Sequence, residues 1–213
     1  MMRACSSLLL LVCLTTFACE GGRTDKEPPT DKESPFDVKD VRQVRNTLRV
    51  KDYDKTQEMQ RRYLIRMGEK AFPAYEAILS DPKSESYEVE GVFGVLVNVD
   101  ADRRHFIKYA ISRFMDTDYG VRWAAVGLLE RIGSPAEASP VVALLSDVHT
   151  EVVYAAAKTL AAVGGPNEVV AIDVWLRGVS YREDRQLREH VQKRRDELKK
   201  RLDKARGKDP KVK

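Results

Sequence analysis

Apolar residues recur at helical spacing along this chain from about residue 36 onward. A first helix over residues 37–50 is predicted by four residues on one face, Val38, Val41, Val44 and Leu48. The same spacing predicts further helices over about 54–67, 72–79, 87–97, 102–114, 121–132, 136–145, 152–163 and 168–176. The valine-rich segment 87–97 also fits a strand, but its length and its neighbours favour a helix. Gly91 and Gly94 within it indicate a close backbone approach to a neighbouring helix. The pattern therefore predicts an all-α chain.

Two helix pairs in the second half of the chain are copies of each other. Residues 121–133 lie over residues 152–164 at an offset of 31 positions, and the flanks keep that offset, with Asp116 over Asp147. A fixed period of about thirty residues is typical of stacked units that cannot bury their apolar faces alone. Together with a partial echo in residues 54–81, the copies predict one repeat domain of about four helix pairs over residues 36–179.

The copied segment resembles a known family of helical repeats. The run 116–125 has an inter-repeat aspartate, a Val-Arg pair and paired alanines before a closing glycine, and is similar to a HEAT repeat of the bilin-lyase-related type. The resemblance is strong over residues 116–176, partial over 54–81 and poor over 84–115. It implies a short α-solenoid of HEAT-like or armadillo-like hairpins, a fold that usually binds other proteins.

The resemblance also implies a structural role for the polar residues of the repeat junction. In the family, the aspartate and the arginine bond neighbouring turns, which assigns that role here to Asp116, Asp118 and Arg122. The fourth copy keeps Asp147 but has Val153 at the position of Arg122. We therefore expect the ladder of polar contacts to be interrupted there.

The N-terminus predicts export. Residues 1–18 have a basic start, an apolar run from Leu8 to Leu14 and Ala18 before Cys19, which is typical of a signal peptide. Cys19 after that site resembles the lipidated cysteine of a bacterial lipobox, with ordinary cleavage before an unmodified cysteine as the alternative. Residues 19–35 contain three prolines and no large apolar residue, which predicts a disordered tether. We expect a lipoprotein of the cell envelope facing the periplasm; without lipidation, a secreted or periplasmic protein.

The C-terminal segment differs from the repeats in charge and in pattern. Residues 181–213 contain 14 basic and 7 acidic side chains, and a narrow apolar stripe predicts a charged helix over residues 180–206. Such a helix can cover the exposed end of a solenoid or pair with another chain. Residues 207–213 are predicted to fray. The mixture of signs and the export signal argue against a nucleic-acid partner.

Residue types that carry chemistry are sparse. His105, His149 and His190 lack a second ligand at metal-binding spacing, and the carboxylate pairs at 100/102 and 116/118 fit helix caps. The sequence therefore predicts neither a catalytic residue, a metal site nor a cofactor. Attachment of a bilin through a protein cysteine is also excluded, because the mature chain would keep at most Cys19, which lies on the predicted tether.

The surface candidates are the aligned positions Arg122 and Trp123 with Tyr154. A repeated aromatic position is typical of packing, but interfaces also favour Trp, Tyr and Arg. The function predicted is a non-catalytic scaffold that binds a protein partner at the cell envelope. The alternatives are an accessory subunit or regulator of an enzyme, or a structural protein whose basic helix touches anionic lipid.

Overall fold

The computed structural model describes residues 40–49, 55–178 and 185–207, with side chains from residue 61 onward in the second range. Every regular element in these ranges is helical, as the apolar pattern predicts. The α-helices are α1 (Val41–Leu48), α2 (Lys55–Met67), α3 (Phe72–Ser80), α4 (Ser86–Leu96), α5 (Ile107–Ser112), α6 (Tyr119–Ile132), α7 (Ala138–Val141), α8 (Thr150–Val163), α9 (Pro166–Gly178) and α10 (Arg185–Arg206). Short 3₁₀ segments cover Gly68–Ala71, Arg104–Phe106, Pro135–Glu137 and Val142–Ser146.

The helices form a short α-solenoid of stacked hairpins. The first helices of successive pairs, α2, α4, α6 and α8, pack side by side, and α10 continues the row against α8. The second helices, α3, α5, α7 and α9, form the other layer. One continuous apolar core runs between the layers and includes Phe93, Leu129 and Leu160, all fully buried. The stacking buries the apolar faces that single hairpins would leave in water.

Glycines end the first helices of the pairs, as the sequence predicts. Gly68 follows α2 with a φ of 52°, a left-handed conformation that glycine adopts without strain. Gly133 and Gly164 cap α6 and α8 with extended backbones. A Cβ at Gly133 would lie 2.6 Å from the carbonyl oxygen of Leu129, so space rather than dihedral preference requires glycine there.

Two predicted helices differ from the observed ones. The segment 136–145 is a single turn of α-helix, α7, between two 3₁₀ segments. Pro140 explains this, because it has no N–H to donate to a preceding carbonyl. The segment 102–114 begins as a 3₁₀ turn, and α5 ends at Ser112, although Phe114 beyond it is still buried.

The approach expected at Gly91 and Gly94 is made by side chains rather than by a helix backbone. Leu48 of α1 lies 3.0 Å from the position of a Cβ at Gly91, and the guanidinium of Arg61 lies 3.0 Å from that of a Cβ at Gly94. Both glycines therefore provide room for side chains from the N-terminal helices.

The helix α10 covers the C-terminal end of the solenoid. Leu187, Val191 and Leu198 of its apolar stripe are buried against the preceding pair. Arg201 donates to the carbonyl oxygens of Ala161 and Gly164 at the end of α8. These oxygens have no partner inside their own helix, so the arginine caps α8 from outside.

A second arginine contact fixes α10 on α9. Arg195 binds the carboxylate of Asp173 at 2.6 Å, and Arg188 donates to the carbonyl oxygen of Leu176. Several basic residues of the charged helix therefore serve intramolecular contacts, which agrees with the capping role expected for it.

Other expectations fall on residues outside the described ranges. The signal peptide 1–18, the tether 19–35 with Cys19 and the tail beyond Gly207 all lie there. None of the helices in the described ranges combines the length and the hydropathy needed to span a bilayer.

Candidate functional site

A groove of about 1010 Å³ runs across the first helices of the repeats. Its floor and walls come from α4, α6 and α8, which present side chains one helical turn apart. Leu48 and Arg61 lie at its N-terminal end, and His190 of α10 closes the other end. Its position follows from the stacking, because only one face of each first helix is covered by its hairpin partner.

Equivalent positions of three successive helices form the walls. The fifth residues of α4, α6 and α8 are Glu90, Trp123 and Tyr154, and all three line the groove. Trp123 has 50% of its surface exposed, which is high for a tryptophan in a repeat core position. Tyr154 contacts His190 edge to face, with ring centroids 4.4 Å apart. The groove therefore presents an aromatic wall with one carboxylate beside it.

Small residues form the floor of the groove. Gly94 and Gly127 occupy the same position in α4 and α6, and Ala155 lies one turn away in α8. Among the described residues beyond its own helical turns, no heavy atom lies within 4 Å of the place a Cβ of Gly127 would take. Packing therefore does not require glycine at 127, although glycine inside a helix costs about 1 kcal/mol relative to alanine.

The carboxylate of Glu90 lies over the first turn of α6. Its Oε2 atom is 2.8 Å from where a Cβ of Gly120 would be, so a side chain at position 120 would require this carboxylate to shift. Burial raises the pKa of Glu90, and the nearby carboxylate of Asp118 raises it further, whereas Arg61 acts in the opposite direction. This part of the groove is therefore acidic, and Arg61 offsets the charge of Glu90 only in part.

The side of the groove formed by the C-terminal halves of α6 and α8 is more basic. Lys158 pairs with Glu130 at 3.1 Å, and Arg131 beside them is exposed. Burial lowers the pKa of His190, and the charge of Arg194 adds to this effect, which favours the neutral imidazole. The groove therefore has carboxylates near the N-termini of its helices and cations near their C-termini, as helix dipoles favour.

Arg122 does not line the groove, although Trp123 is its neighbour in sequence. Its guanidinium binds the carboxylate of Asp147 through two bonds of 2.6 and 2.8 Å, and it donates to the carbonyl oxygen of Asp116 at 2.7 Å. With 8% of its surface exposed, Arg122 is buried in the repeat junction, and its role as a partner-binding candidate stays an untested prediction. One residue along a helix turns the side chain by about 100°, here into the repeat junction.

The junction fits the structural role implied for its polar residues. Asp118 caps α6 by accepting from the backbone N–H of Gly120 at 2.7 Å, and Asp116 accepts from that of Asp118 at 3.0 Å. Burial raises the pKa of Asp147, but the bonds from Arg122 and from the N–H of His149 outweigh it, so the net pKa is lowered. In the last repeat, the position of Arg122 is taken by Val153, a buried apolar residue, and the arginines of α10 make their contacts elsewhere, at Asp173 and at carbonyl oxygens of α8 and α9.

The remaining sequence candidates lie apart from one another. His105 contacts Phe72, His149 stacks on Tyr119 with centroids 4.5 Å apart, and His190 packs on Tyr154. Within the described ranges, no group of three or more His, Cys, Asp or Glu could hold a metal ion.

Sequence reasoning missed Glu90, Gly94 and Gly127 as parts of the groove. The segment 84–115 matches the repeat poorly, so α4 was not aligned with α6. An offset of 33 between Ser86 and Tyr119, the first residues of the two helices, places Glu90 over Trp123 and Gly94 over Gly127. A glycine repeated at that offset in two helices is the signal that could have revealed the floor.

Comparison with known proteins gives one match. The family model described as HEAT repeats matches residues 106–192, which include α5 to α9 and the start of α10. No curated protein and no solved structure matches the chain. The match covers the two copies at the 31-residue offset and the beginning of the helix that caps them. HEAT repeats generally serve as protein-interaction scaffolds, and the family is typically non-catalytic.

Proposed function

Because residues 106–192 match the HEAT-repeat family model, we propose that this chain is a HEAT-repeat protein, a non-catalytic scaffold that binds a protein partner in the groove across α4, α6 and α8. The observation that carries the proposal is the half-exposed Trp123 on the wall of that groove. A large aromatic side chain left half in water is costly for a monomer and is a frequent anchor of protein interfaces.

The geometry of the groove supports a macromolecular partner rather than a small substrate. The groove is open to solvent, and its lining comes from six helices, α1, α2, α4, α6, α8 and α10. The floor at Gly127 allows close approach of another backbone or helix, whereas Arg61 lies beside Gly94. Its charged groups are spread over α4, α6 and α8, as with Glu90, Arg131 and Lys158, so a partner that meets all of them extends across repeats.

Crosslinking in living cells tests this proposal. A photoreactive amino acid at Asn98, an exposed groove residue, should yield a discrete adduct with a partner protein, which mass spectrometry would identify. The matched control carries the probe at Val174, which is 55% exposed and lies outside the groove.

The variant Trp123→Ala should remove the adduct formed from position 98 while circular dichroism and the unfolding midpoint stay close to wild type. Equal adducts from positions 98 and 174, or an adduct unchanged by Trp123→Ala, would refute binding in the groove.

We further propose that the scaffold is attached to the cell envelope through a lipid on Cys19. The support is the signal-like segment 1–18 followed by a single cysteine and the polar segment 20–35. Lipid attachment adds hydrophobic surface that a signal-cleaved chain would lack. In this arrangement, the repeat domain would search for its partner at the membrane surface.

Fractionation of cells tests the anchor. Cys19→Ala should move the protein from the membrane fraction to the soluble fraction, and Cys13→Ala, in the leader, should leave it in the membrane. A Cys19→Ala protein that stays with the membrane as wild type does would rule the anchor out.

A further inference from the structure

We infer that the acidic, aromatic end of the groove receives a lysine or arginine side chain of the partner, so that the segment bound there is basic. This inference rests on the proposed function, because it specifies the chemistry of the partner at the same groove. The site consists of Glu90 on α4, Trp123 on α6 and Glu151 on α8, with Tyr87 and Tyr154 beside them.

The first argument is the unbalanced charge of Glu90. Within the described residues, its carboxylate forms neither a hydrogen bond nor an ion pair, although it is only partly exposed. Asp118 lies close enough to oppose its ionisation, and the effect of Arg61 is smaller than those of burial and of Asp118. A half-buried carboxylate in such surroundings is stabilised by a cation that arrives from the open side.

The second argument is the space reserved for that carboxylate. A side chain at position 120 would displace the Glu90 carboxylate, since its nearest oxygen is 2.8 Å from the place of a Cβ there. Gly120 thus allows Glu90 to lie one turn from Trp123. The third residue, Glu151, is exposed in the first turn of α8, and the only hydrogen bond described for it is from its neighbour Thr150 at 3.4 Å.

The third argument is the combination of carboxylates with aromatic rings. A guanidinium or ammonium group is attracted both by carboxylates and by the face of an indole or phenol. The protein already uses this combination at the edge of the groove. Arg49 donates to the hydroxyl of Tyr87 at 3.0 Å, and its guanidinium lies 6.0 Å from the centre of that ring. A cation of the partner would meet similar chemistry at Trp123.

The charges elsewhere in the groove set the specificity. Arg131 and Lys158 lie toward the C-terminal ends of α6 and α8, and Glu130 offsets Lys158. An acidic side chain beside Glu90 would be repelled by that carboxylate, and the effect of Arg61 there is smaller than that of Asp118. The complementary ligand for this end is therefore cationic.

Titration of small probes tests the inference. The chain carries two tryptophans, so the indole N–H signals of Trp123 and Trp175 can be followed separately by nuclear magnetic resonance in the full chain downstream of the leader with Cys19→Ala. The probes are Nα-acetyl-arginine amide, its neutral citrulline counterpart and Nα-acetyl-glutamate amide.

We expect the arginine probe to shift the Trp123 signal saturably, with a Kd at least about fivefold lower than that of the citrulline probe. Glu90→Gln should remove that preference, whereas Glu69→Gln, which removes the same charge from an exposed site outside the groove, should keep it. A second variant, Gly120→Ala, should displace the Glu90 carboxylate and likewise weaken binding of the arginine probe.

Equal binding of arginine and citrulline probes, or tighter binding of the glutamate probe, would overturn the inference. The proposed function has a separate readout, since the adduct from position 98 depends on Trp123 whatever the charge of the partner. If that adduct forms and the preference for arginine is absent, the result supports the proposed scaffold function and refutes a basic partner segment.

Discussion

The repeat junction and the groove lie on adjacent faces of α6, and they differ in whether their polar groups have bonding partners. At the junction, the guanidinium of Arg122 has its bonds filled by Asp147 and by the carbonyl oxygen of Asp116. In the groove, Glu90 has no described partner, and Trp123 leaves half of its surface in water. Satisfied buried groups stabilise a fold, whereas unsatisfied and exposed ones are typical of surfaces that bind.

The same contrast holds for the glycines of α6. Gly133 ends the helix where the carbonyl oxygen of Leu129 leaves no room for a side chain, and Gly127 lies in the middle of the helix beneath open space. One glycine is required by the fold and the other is not. The comparison therefore distinguishes positions that maintain the solenoid from positions that shape its groove, and substitutions can separate the two.

The largest effect should come from the ion pair of the junction. Arg122→Ala leaves Asp147 buried without its partner, which should lower the free energy of unfolding by about 3 kcal/mol. Urea denaturation followed by circular dichroism measures this loss. The control Arg131→Ala removes an exposed arginine of the same helix and should change stability by no more than about 0.5 kcal/mol. Similar losses in both variants would remove the distinction between junction and groove.

The junction should also show a defined pH dependence. The folded pKa of Asp147 lies below its unfolded value of about 3.9. Its contribution to stability is therefore complete above that value and is lost as the pH falls through the folded pKa. The stability difference between wild type and Asp147→Asn should be constant from pH 6 to about pH 5 and should shrink below about pH 4. A difference that grows on acidification would contradict this assignment.

The two glycines of α6 should respond with opposite signs to the same substitution. Gly133→Ala places a Cβ against the backbone oxygen of Leu129 and should destabilise the protein by about 1–3 kcal/mol. Gly127→Ala meets open space in a helix interior and should stabilise it by about 1 kcal/mol. Thermal unfolding of the two variants beside wild type provides the measurement. Destabilisation by Gly127→Ala would mean that the fold requires glycine at position 127.

The smallest effect should appear at Glu90. Its folded pKa lies above the ordinary value, because burial and Asp118 disfavour the ionised form. The folded state then binds more protons than the unfolded state, so wild type loses stability relative to Glu90→Gln as the pH rises from about 4.3 through the folded pKa. The side chain is only partly buried and water screens its charge, so the difference should stay within about 0.5 kcal/mol. The stability differences measured for Glu90→Gln and Asp147→Asn should therefore change with pH in opposite directions. Changes in the same direction would contradict the distinction between groove and junction.

The sequence by itself determined the helical class, the two copies at an offset of 31 residues and the glycines that end their first helices. These features are local or repeat at a fixed interval, so periodicity along the chain records them directly. It also determined the structural role of Asp116 and Asp118, through resemblance to a family with a polar repeat junction. Pro140 carries the reason why the second helix of that repeat is broken, although the apolar spacing alone predicts it to be continuous.

The tertiary structure alone decided which residues face the groove. Arg122 and Trp123 are neighbours in sequence, and only the packing of α6 between α4 and α8 sends one into the junction and the other onto the open face. The place of Glu90 depends on a contact across helices at Gly120, thirty residues later. Such contacts depend on the spacing and direction of packed helices, which a one-dimensional pattern of apolar positions does not contain.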